Sequence, residues 1–154
     1  MLDLELNLKT AKPLNAALIW TLLLTGARAQ EVLNITHKDL DHQNKTILIR
    51  GLKNSNDREI PIPNWLFKSI TKLTPVDGRP FPISYPRLWQ IWTFHCKAKK
   101  GPHSARHSFA INLYKRTNNL NLVKLALGHK SISNSIIYAE YAFTTSELRK
   151  LIVV

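Results

Sequence analysis

The chain has 154 residues, and its 22 lysines and arginines against 10 acidic residues give a net charge of +12. This length suits one domain with a hydrophobic core and is too short for two comfortable ones. The 44% apolar content excludes an intrinsically disordered chain. The positive charge favours a polyanionic partner, above all nucleic acid.

Membrane insertion and secretion are both excluded by the sequence pattern. The longest apolar stretch, residues 16–24, is far shorter than the roughly 20 residues of a membrane span. The N-terminal sequence MLDLELNLK carries acidic residues and lacks the basic start of a signal peptide. Cys96 is the only cysteine, so no intramolecular disulfide is possible. We expect a cytoplasmic protein in which Cys96 is a small buried hydrophobic residue.

The first half of the chain predicts two helical segments followed by a β-hairpin. Residues 13–25 form a buried helix that ends at Gly26, and residues 27–35 form a short amphipathic turn or helix. Residues 39–45 are polar and turn-like. Residues 46–50 and 58–62 are paired strands, with Lys53 on the connecting loop and Pro61 on an edge. Residues 64–73 form a helix capped by Asn64.

The second half predicts further helices separated by clear breaks. Residues 85–100 carry Trp89 and Trp92 at helical spacing, which favours packing in the core. A helix capped by Ser104 follows Gly101 and Pro102, and another helix ends at Gly128. Ser131 or Ser133 begins the next helix, and the Thr144/Glu147 pair predicts a capping box for the last one. The expected fold is therefore α+β, mainly helical with a small antiparallel hairpin or sheet.

Residues 103–141 concentrate the chemically useful side chains. His103 and Arg106 are one helical turn apart on the same face, and Tyr138 follows His129 by nine residues. Donors and a nucleophile can therefore converge on one anion. His103 and His107 lack the glutamate of an HExxH motif and a third ligand, so we expect no metal site and no cofactor.

Four segments occur in a characteristic order: TGARAQE around Arg28, a hairpin carrying Lys53, HSARH around Arg106, and LGHKSISNSIIY through Tyr138. This order closely resembles the catalytic domain of the tyrosine recombinases, the phage integrase and Xer group. The resemblance extends from about residue 25 to residue 138. Ala105 stands where the family usually has leucine, and the hairpin sequence RGLKNSNDRE differs from the common family form.

The resemblance implies a role for each matching residue. Arg28 and Arg106 would hold the scissile phosphate, and Tyr138 would attack it to form a 3′-phosphotyrosine. Lys53 would protonate the leaving 5′-oxygen, His103 would act as general acid/base, and His129 would donate to a nonbridging oxygen. Two further residues, Glu31 and His107, would orient the site.

The family also implies partners and an assembly. We expect double-stranded DNA as substrate, a homotetramer on DNA and mainly a monomer when free. The bacterial or phage-related origin usual in the family is expected as well. The expected organisation is a single catalytic domain over residues 1–154, without the family's N-terminal core-binding domain, because only 24 residues precede TGARAQE. Without that domain, DNA binding should be weak and salt-sensitive.

Two alternatives to a metal- and ATP-independent recombinase remain at this point. One is a DNA-binding module with the same fold that cuts poorly without a partner domain. The other is DNA relaxation of the type IB topoisomerase kind, which uses the same set of residue types.

Overall fold

A computed structural model describes residues 7–73, 75, 77–97 and 100–152 of the chain. The described part is mainly helical with one small antiparallel sheet, which confirms the predicted fold class. In chain order the elements are α1 (Pro13–Thr25), α2 (Ala29–Leu33), a 3₁₀ turn (His37–Asp39), β1 (Leu40–Asp41), β2 (Thr46–Ile49), β3 (Arg58–Pro61), α3 (Asn64–Thr71), α4 (Tyr85–Cys96), α5 (His103–Thr117), α6 (Leu120–Leu127), α7 (Ser133–Ala142) and α8 (Thr145–Ile152).

The sheet has the strand order β1–β2–β3, and both pairings are antiparallel. Ile47 lies opposite Ile60, and Ile49 lies opposite Arg58 where the hairpin closes. Pro61 is in the edge strand β3, as predicted. Strand β1 was not predicted, because its two residues lie in a polar segment that reads as a turn.

The buried apolar side chains form two clusters. The larger one joins α1, α2, the sheet, α3 and α4, with Leu18, Val32 and Ile47 almost completely buried. The smaller one contains Ala110, Val123, Leu127 and Tyr138, from α5, α6 and α7. Ala105, near the start of α5, belongs to the larger cluster. Helix α5 therefore connects the two clusters.

Helix ends follow the sequence signals only in part. Gly26 and Gly128 have left-handed backbone and end α1 and α6, as expected for residues without a Cβ. The predicted capping box before α8 is confirmed, since the Thr144 amide donates to the Glu147 carboxylate at 2.7 Å. The caps predicted at Asn64 and Ser104 are wrong. Both residues lie inside their helices, after Pro63 and Pro102, and Ser104 donates to the Gly101 carbonyl instead.

Burial in the core was predicted for Trp89, Trp92 and Cys96, and the structure confirms it only in part. Trp92 is buried and donates its indole N–H to the Lys100 carbonyl at 3.0 Å, as expected of a core residue. Trp89 is 42% exposed, so its assignment to the core was wrong. Cys96 is half-buried, and burial raises the pKa of its thiol to about 11. Among the described helices, none combines the length and apolar character needed to span a bilayer.

Candidate active site

Arg106 is a charged residue at the centre of the structure, with 2% of its surface exposed. It donates from Nη1 to the Gly26 carbonyl and from Nη2 to the Leu127 carbonyl, both at 2.8 Å. These acceptors belong to the C-terminal ends of α1 and α6, where carbonyls lack partners and the helix dipole favours a cation. Burial lowers the pKa of Arg106 to about 10, so the guanidinium stays charged at neutral pH.

Glu31 is a buried carboxylate that holds three parts of the chain together. It accepts from the Arg28 backbone amide at 2.8 Å, from Arg58 Nη2 at 2.9 Å and from the Leu52 amide at 3.2 Å. Burial by itself would raise the pKa of Glu31, but the hydrogen bonds from Arg58 and the backbone bring it below its ordinary value. The group is therefore ionised and balances part of the surrounding positive charge.

Arg58 is a residue that the sequence reasoning missed. Besides its pair with Glu31, it donates from Nε to the Ala126 carbonyl at 2.8 Å and so joins β3 to α6. The signal in the sequence was the strand alternation, because Arg58 occupies the same inward-facing side of β3 as Ile60. An arginine at an inward position of a strand requires a buried acid, and Glu31 is that acid.

Arg28 lies at the edge of this buried network, with 22% of its side chain exposed. Its Nη1 contacts Glu31 at 3.3 Å and Ser55 Oγ, on the hairpin loop, at 2.5 Å. Arg28 and Glu31 therefore form an ion pair across one turn of α2. Because its guanidinium is the partly accessible one, Arg28 can reach a bound anion without leaving Glu31.

The hairpin loop carries Lys53 against the turn that holds His129. Lys53 is exposed, and both it and Asn54 have left-handed backbone, with φ of 51° and 63°. The Asn56 amide donates to the Gly128 carbonyl at 2.8 Å, and Lys130 Nζ donates to Asn54 Oδ1 at 2.5 Å. These two hydrogen bonds connect the loop directly to the turn after α6.

His129 and Tyr138 lie next to each other, and the charge of Arg106 acts on both. Their rings are stacked, with centroids 6.3 Å apart and planes 12° apart. Burial, followed by the charges of Arg106 and two other arginines, lowers the pKa of His129 to about 4, so the ring is neutral. Tyr138 is only 5% exposed. Burial raises the pKa of its phenol, while the charges of Arg106 and Arg28 oppose that rise.

The two remaining predicted histidines lie on the exposed side of α5. The His103 and His107 rings meet edge to face at 5.0 Å, and the His107 ring is 5.7 Å from that of Tyr138. Burial and then the charge of His107 lower the pKa of His103, and Lys53 adds a smaller effect of the same sign. The structure therefore brings all eight predicted site residues into one region between α2, the hairpin loop, α5 and α7.

A second missed residue is Ser135, on the same helix as Tyr138. It is fully buried, and its Oγ lies 2.9 Å from His129 Nδ1. In the described ranges no group of three histidine, cysteine or acidic side chains is arranged to hold a metal ion. The site as a whole combines guanidinium and lysine charge with a buried phenol, an arrangement suited to binding an anion beside a potential nucleophile.

Comparison with known proteins gives a consistent family. The profile described as the Phage integrase family matches residues 4–145. Tyrosine recombinase XerH of Campylobacter jejuni is 31% identical over 145 residues, which cover 82% of this chain and 41% of the relative. The resemblance seen in the sequence is thereby confirmed.

Solved structures agree with the sequence comparison. The XerH site-specific recombinase bound to difH substrate, in a pre-cleavage complex, superposes with a TM-score of 0.72 and 25% identity, covering 99% of this chain and 51% of that one. The catalytic domain of bacteriophage HP1 integrase, at 23% identity, shows the same fold with a TM-score of 0.71 and coverage of 97% and 89%. The chain spans about half the length of the curated relatives it matches.

Proposed function

The chain belongs to the phage integrase family, and from this premise we propose that it is the catalytic domain of a site-specific DNA recombinase. The observation that carries the proposal is the convergence of Arg28, Arg106 and His129 on the buried phenol of Tyr138. A phosphodiester is the DNA group that such a site suits, because guanidinium groups bind its nonbridging oxygens with charge-assisted hydrogen bonds. The net charge of +12 supports a long polyanionic partner.

The proposed reaction is a transesterification at phosphorus. The Tyr138 oxygen forms a bond to phosphorus while the bond to the 5′-oxygen breaks, leaving a 3′-phosphotyrosine and a free 5′-hydroxyl. His103 accepts the phenol proton, and Lys53 gives a proton to the leaving 5′-oxygen. A free 5′-hydroxyl then reverses these steps to rejoin the strand. Because the covalent link keeps the energy of the broken bond, rejoining needs no ATP.

The arginines supply the electrostatic part of the proposed mechanism. Extra negative charge builds on the nonbridging oxygens as the nucleophile approaches, and fixed positive groups stabilise it without reorganising. Arg106 is held in place by two carbonyls before any substrate binds. Burial, followed by the charges of the nearby arginines, lowers the pKa of His129, so the neutral ring is placed to donate a hydrogen bond rather than to add charge. This division of roles does not require a metal ion.

The assembly is proposed from the family alone. One similar structure, an XerH site-specific recombinase, was solved bound to difH substrate. We expect this chain to act likewise on duplex DNA, as a homotetramer, with residues 1–154 forming the catalytic domain. The two alternatives, a DNA-binding module and a topoisomerase-like relaxer, are not favoured by any of these relatives, which are named recombinases or integrases.

Covalent capture tests the function without knowledge of the target site. The protein is incubated with randomised nicked duplexes in chelator, and adducts that survive denaturant are isolated and sequenced. The nick prevents rejoining, so adducts should accumulate with the wild type and show a common sequence. Tyr138→Phe should give none, whereas the control Tyr141→Phe should behave as the wild type. DNA binding without adduct in the wild type, or adduct with Tyr138→Phe, would contradict the proposal.

A further inference from the structure

The hydroxyl of Ser135 has an unusual position for a helical serine. It is completely buried, one turn before Tyr138 on α7, and its Oγ lies 2.9 Å from His129 Nδ1. Buried hydroxyls normally donate their proton to a carbonyl of the preceding turn or to water. In the part of the chain that the structure describes, His129 is the hydrogen-bond partner recorded for this oxygen.

Counting protons gives the direction of this hydrogen bond. A neutral imidazole has one N–H, so Nδ1 is either a donor or an acceptor. If Nδ1 carried the proton, the Ser135 hydroxyl would accept it and its own O–H would be buried without an acceptor, which is costly. If Ser135 donates to Nδ1, both groups are satisfied, and the imidazole proton lies on Nε2.

We propose that Ser135 is a positioning residue that donates its hydroxyl proton to His129 Nδ1 and thereby keeps Nε2 as a hydrogen-bond donor towards the substrate phosphate. Its place in the reaction rests on the proposed function, whereas the state of the imidazole does not. Ser135 and Tyr138 are i and i+3 on α7, so the same contact fixes the His129 ring relative to the tyrosine ring on which it stacks.

The backbone around His129 supports a fixed ring. The His129 amide donates to the Lys124 carbonyl at 3.0 Å, and Gly128 holds the turn with left-handed backbone. Burial, followed by the charge of Arg106, lowers the pKa of His129 and keeps the ring neutral. The backbone position and the neutral charge of His129 are therefore both fixed without Ser135. What remains is which ring nitrogen carries the proton, and the hydrogen bond from Ser135 determines that.

The direct test is nitrogen-15 NMR of the histidine side chains in the free wild-type protein at pH 7. His129 is assigned by loss of its signals in His129→Gln. We expect an unprotonated Nδ1 that accepts a hydrogen bond and a protonated Nε2. A proton on Nδ1 of the wild type would overturn the proposal. This measurement needs neither DNA nor activity, so its failure is distinct from failure of the proposed function.

The kinetic test uses Ser135→Ala with Ser133→Ala as its matched control. Ser133 is on the same helical turn, but it is exposed and pairs with Ser131 Oγ. Ser135→Ala should slow adduct formation at saturating protein by about tenfold, with DNA affinity unchanged. It should also raise the pKa of His129, because the lost hydrogen bond favoured the neutral ring.

The controls separate positioning from loss of fold. Ser133→Ala should leave rate, affinity and the His129 pKa unchanged, and Ser135→Thr, which keeps a hydroxyl, should restore most of the rate. A wild-type rate with Ser135→Ala would overturn the role in the reaction. An equal loss of rate in Ser135→Ala and Ser133→Ala would also overturn the role of Ser135 in the reaction.

Discussion

Two charged regions of the site are built in opposite ways. The buried floor consists of Glu31, Arg58 and Arg106. Arg58 and Arg106 donate to backbone carbonyls at the ends of α1 and α6, and Glu31 accepts from Arg58 and from backbone amides, including that of Leu52 in the hairpin loop. The hairpin rim is the loop of residues 51–57, where Lys53 is exposed on left-handed backbone. The floor should therefore determine stability and the position of the site, and the rim should determine chemistry with little effect on stability.

Arg28 connects the two regions and shows why they are separate. Its backbone amide and Nη1 both reach Glu31 in the floor, while the same Nη1 also reaches Ser55 in the rim. A ligand that moved the rim would thus change the surroundings of Arg28 without disturbing Arg106.

The largest loss of stability is expected from a substitution in the buried floor. Glu31→Gln removes the charge that balances Arg58, and breaking a buried ion pair from one side costs about 3–5 kcal/mol. Glu59→Gln is the matched control, since Glu59 is the exposed next residue on β3 and should change stability by less than about 0.5 kcal/mol. Urea unfolding at pH 7 measures both. Equal effects would show that the Glu31–Arg58 pair does not stabilise the floor.

The next largest loss of stability is expected where the hairpin rim contacts the turn after α6. A Cβ at Gly128 would lie 2.5 Å from the Asn56 carbonyl oxygen, whereas one at Gly78 would meet no described atom within 4 Å. Both glycines have positive φ, of 71° and 80°. Gly78→Ala should cost about 1–2 kcal/mol from backbone strain alone. Gly128→Ala should cost about 1–3 kcal/mol more, because the hairpin must move.

Thermal or urea unfolding gives the loss of stability in each alanine variant. Because both variants share the cost of backbone strain, the difference between the two losses measures the steric clash at residue 128. Equal destabilisation would contradict the close packing of the hairpin against the His129 turn. The Gly128→Ala variant should also lose adduct formation, because displacement of the hairpin moves Lys53.

Acid should weaken the folded state through His129. Its folded pKa of about 4 is below the ordinary value of 6.5, so the unfolded chain binds the proton more readily between these values. Stability is therefore full above pH 6.5 and is lost as pH falls towards 4. Urea unfolding across this window should show a shallower loss in His129→Gln than in the wild type. An unchanged slope would mean that His129 titrates normally in the folded protein.

The smallest effect on stability is expected in the rim. Lys130→Met removes the hydrogen bond to Asn54 and should change stability by less than about 0.5 kcal/mol. Hydrogen exchange of the loop amides should nevertheless become faster, because one of the two contacts to the α6 turn is gone. Lys124→Met, which removes a positive charge from α6, controls for charge. Unchanged exchange in Lys130→Met would show that the Lys130 contact does not restrain the rim.

Prediction from sequence succeeded where the signal is local. Gly26 and Gly128 end their helices because left-handed backbone is a property of the residue itself. The Thr144/Glu147 box depends on spacing alone. The placement of the eight family residues in one region agrees with the order of their motifs, although their chemical roles remain proposals.

What sequence reasoning missed depends on contacts between distant segments. Arg58 is 27 residues from Glu31, so neither residue alone indicates a buried pair. Ser135 is six residues from His129 and belongs to no motif in the sequence, so only the packing of α7 against the α6 turn shows its contact with His129. The caps at Asn64 and Ser104 failed because Pro63 and Pro102 occupy the N-cap positions of these helices.

We expect DNA to become linked to the buried phenol of Tyr138 and not to the hydroxyl of Tyr141, although Tyr141 is 69% exposed and would be easier to reach. Glu140 lies between the two tyrosines, so cleavage after glutamate separates them into different peptides. Captured adducts would be treated with nuclease and with such a protease and then examined by mass spectrometry. The added nucleotide mass should be found on the peptide that ends at Glu140, and finding it on the peptide that begins at Tyr141 would rule out Tyr138 as the nucleophile.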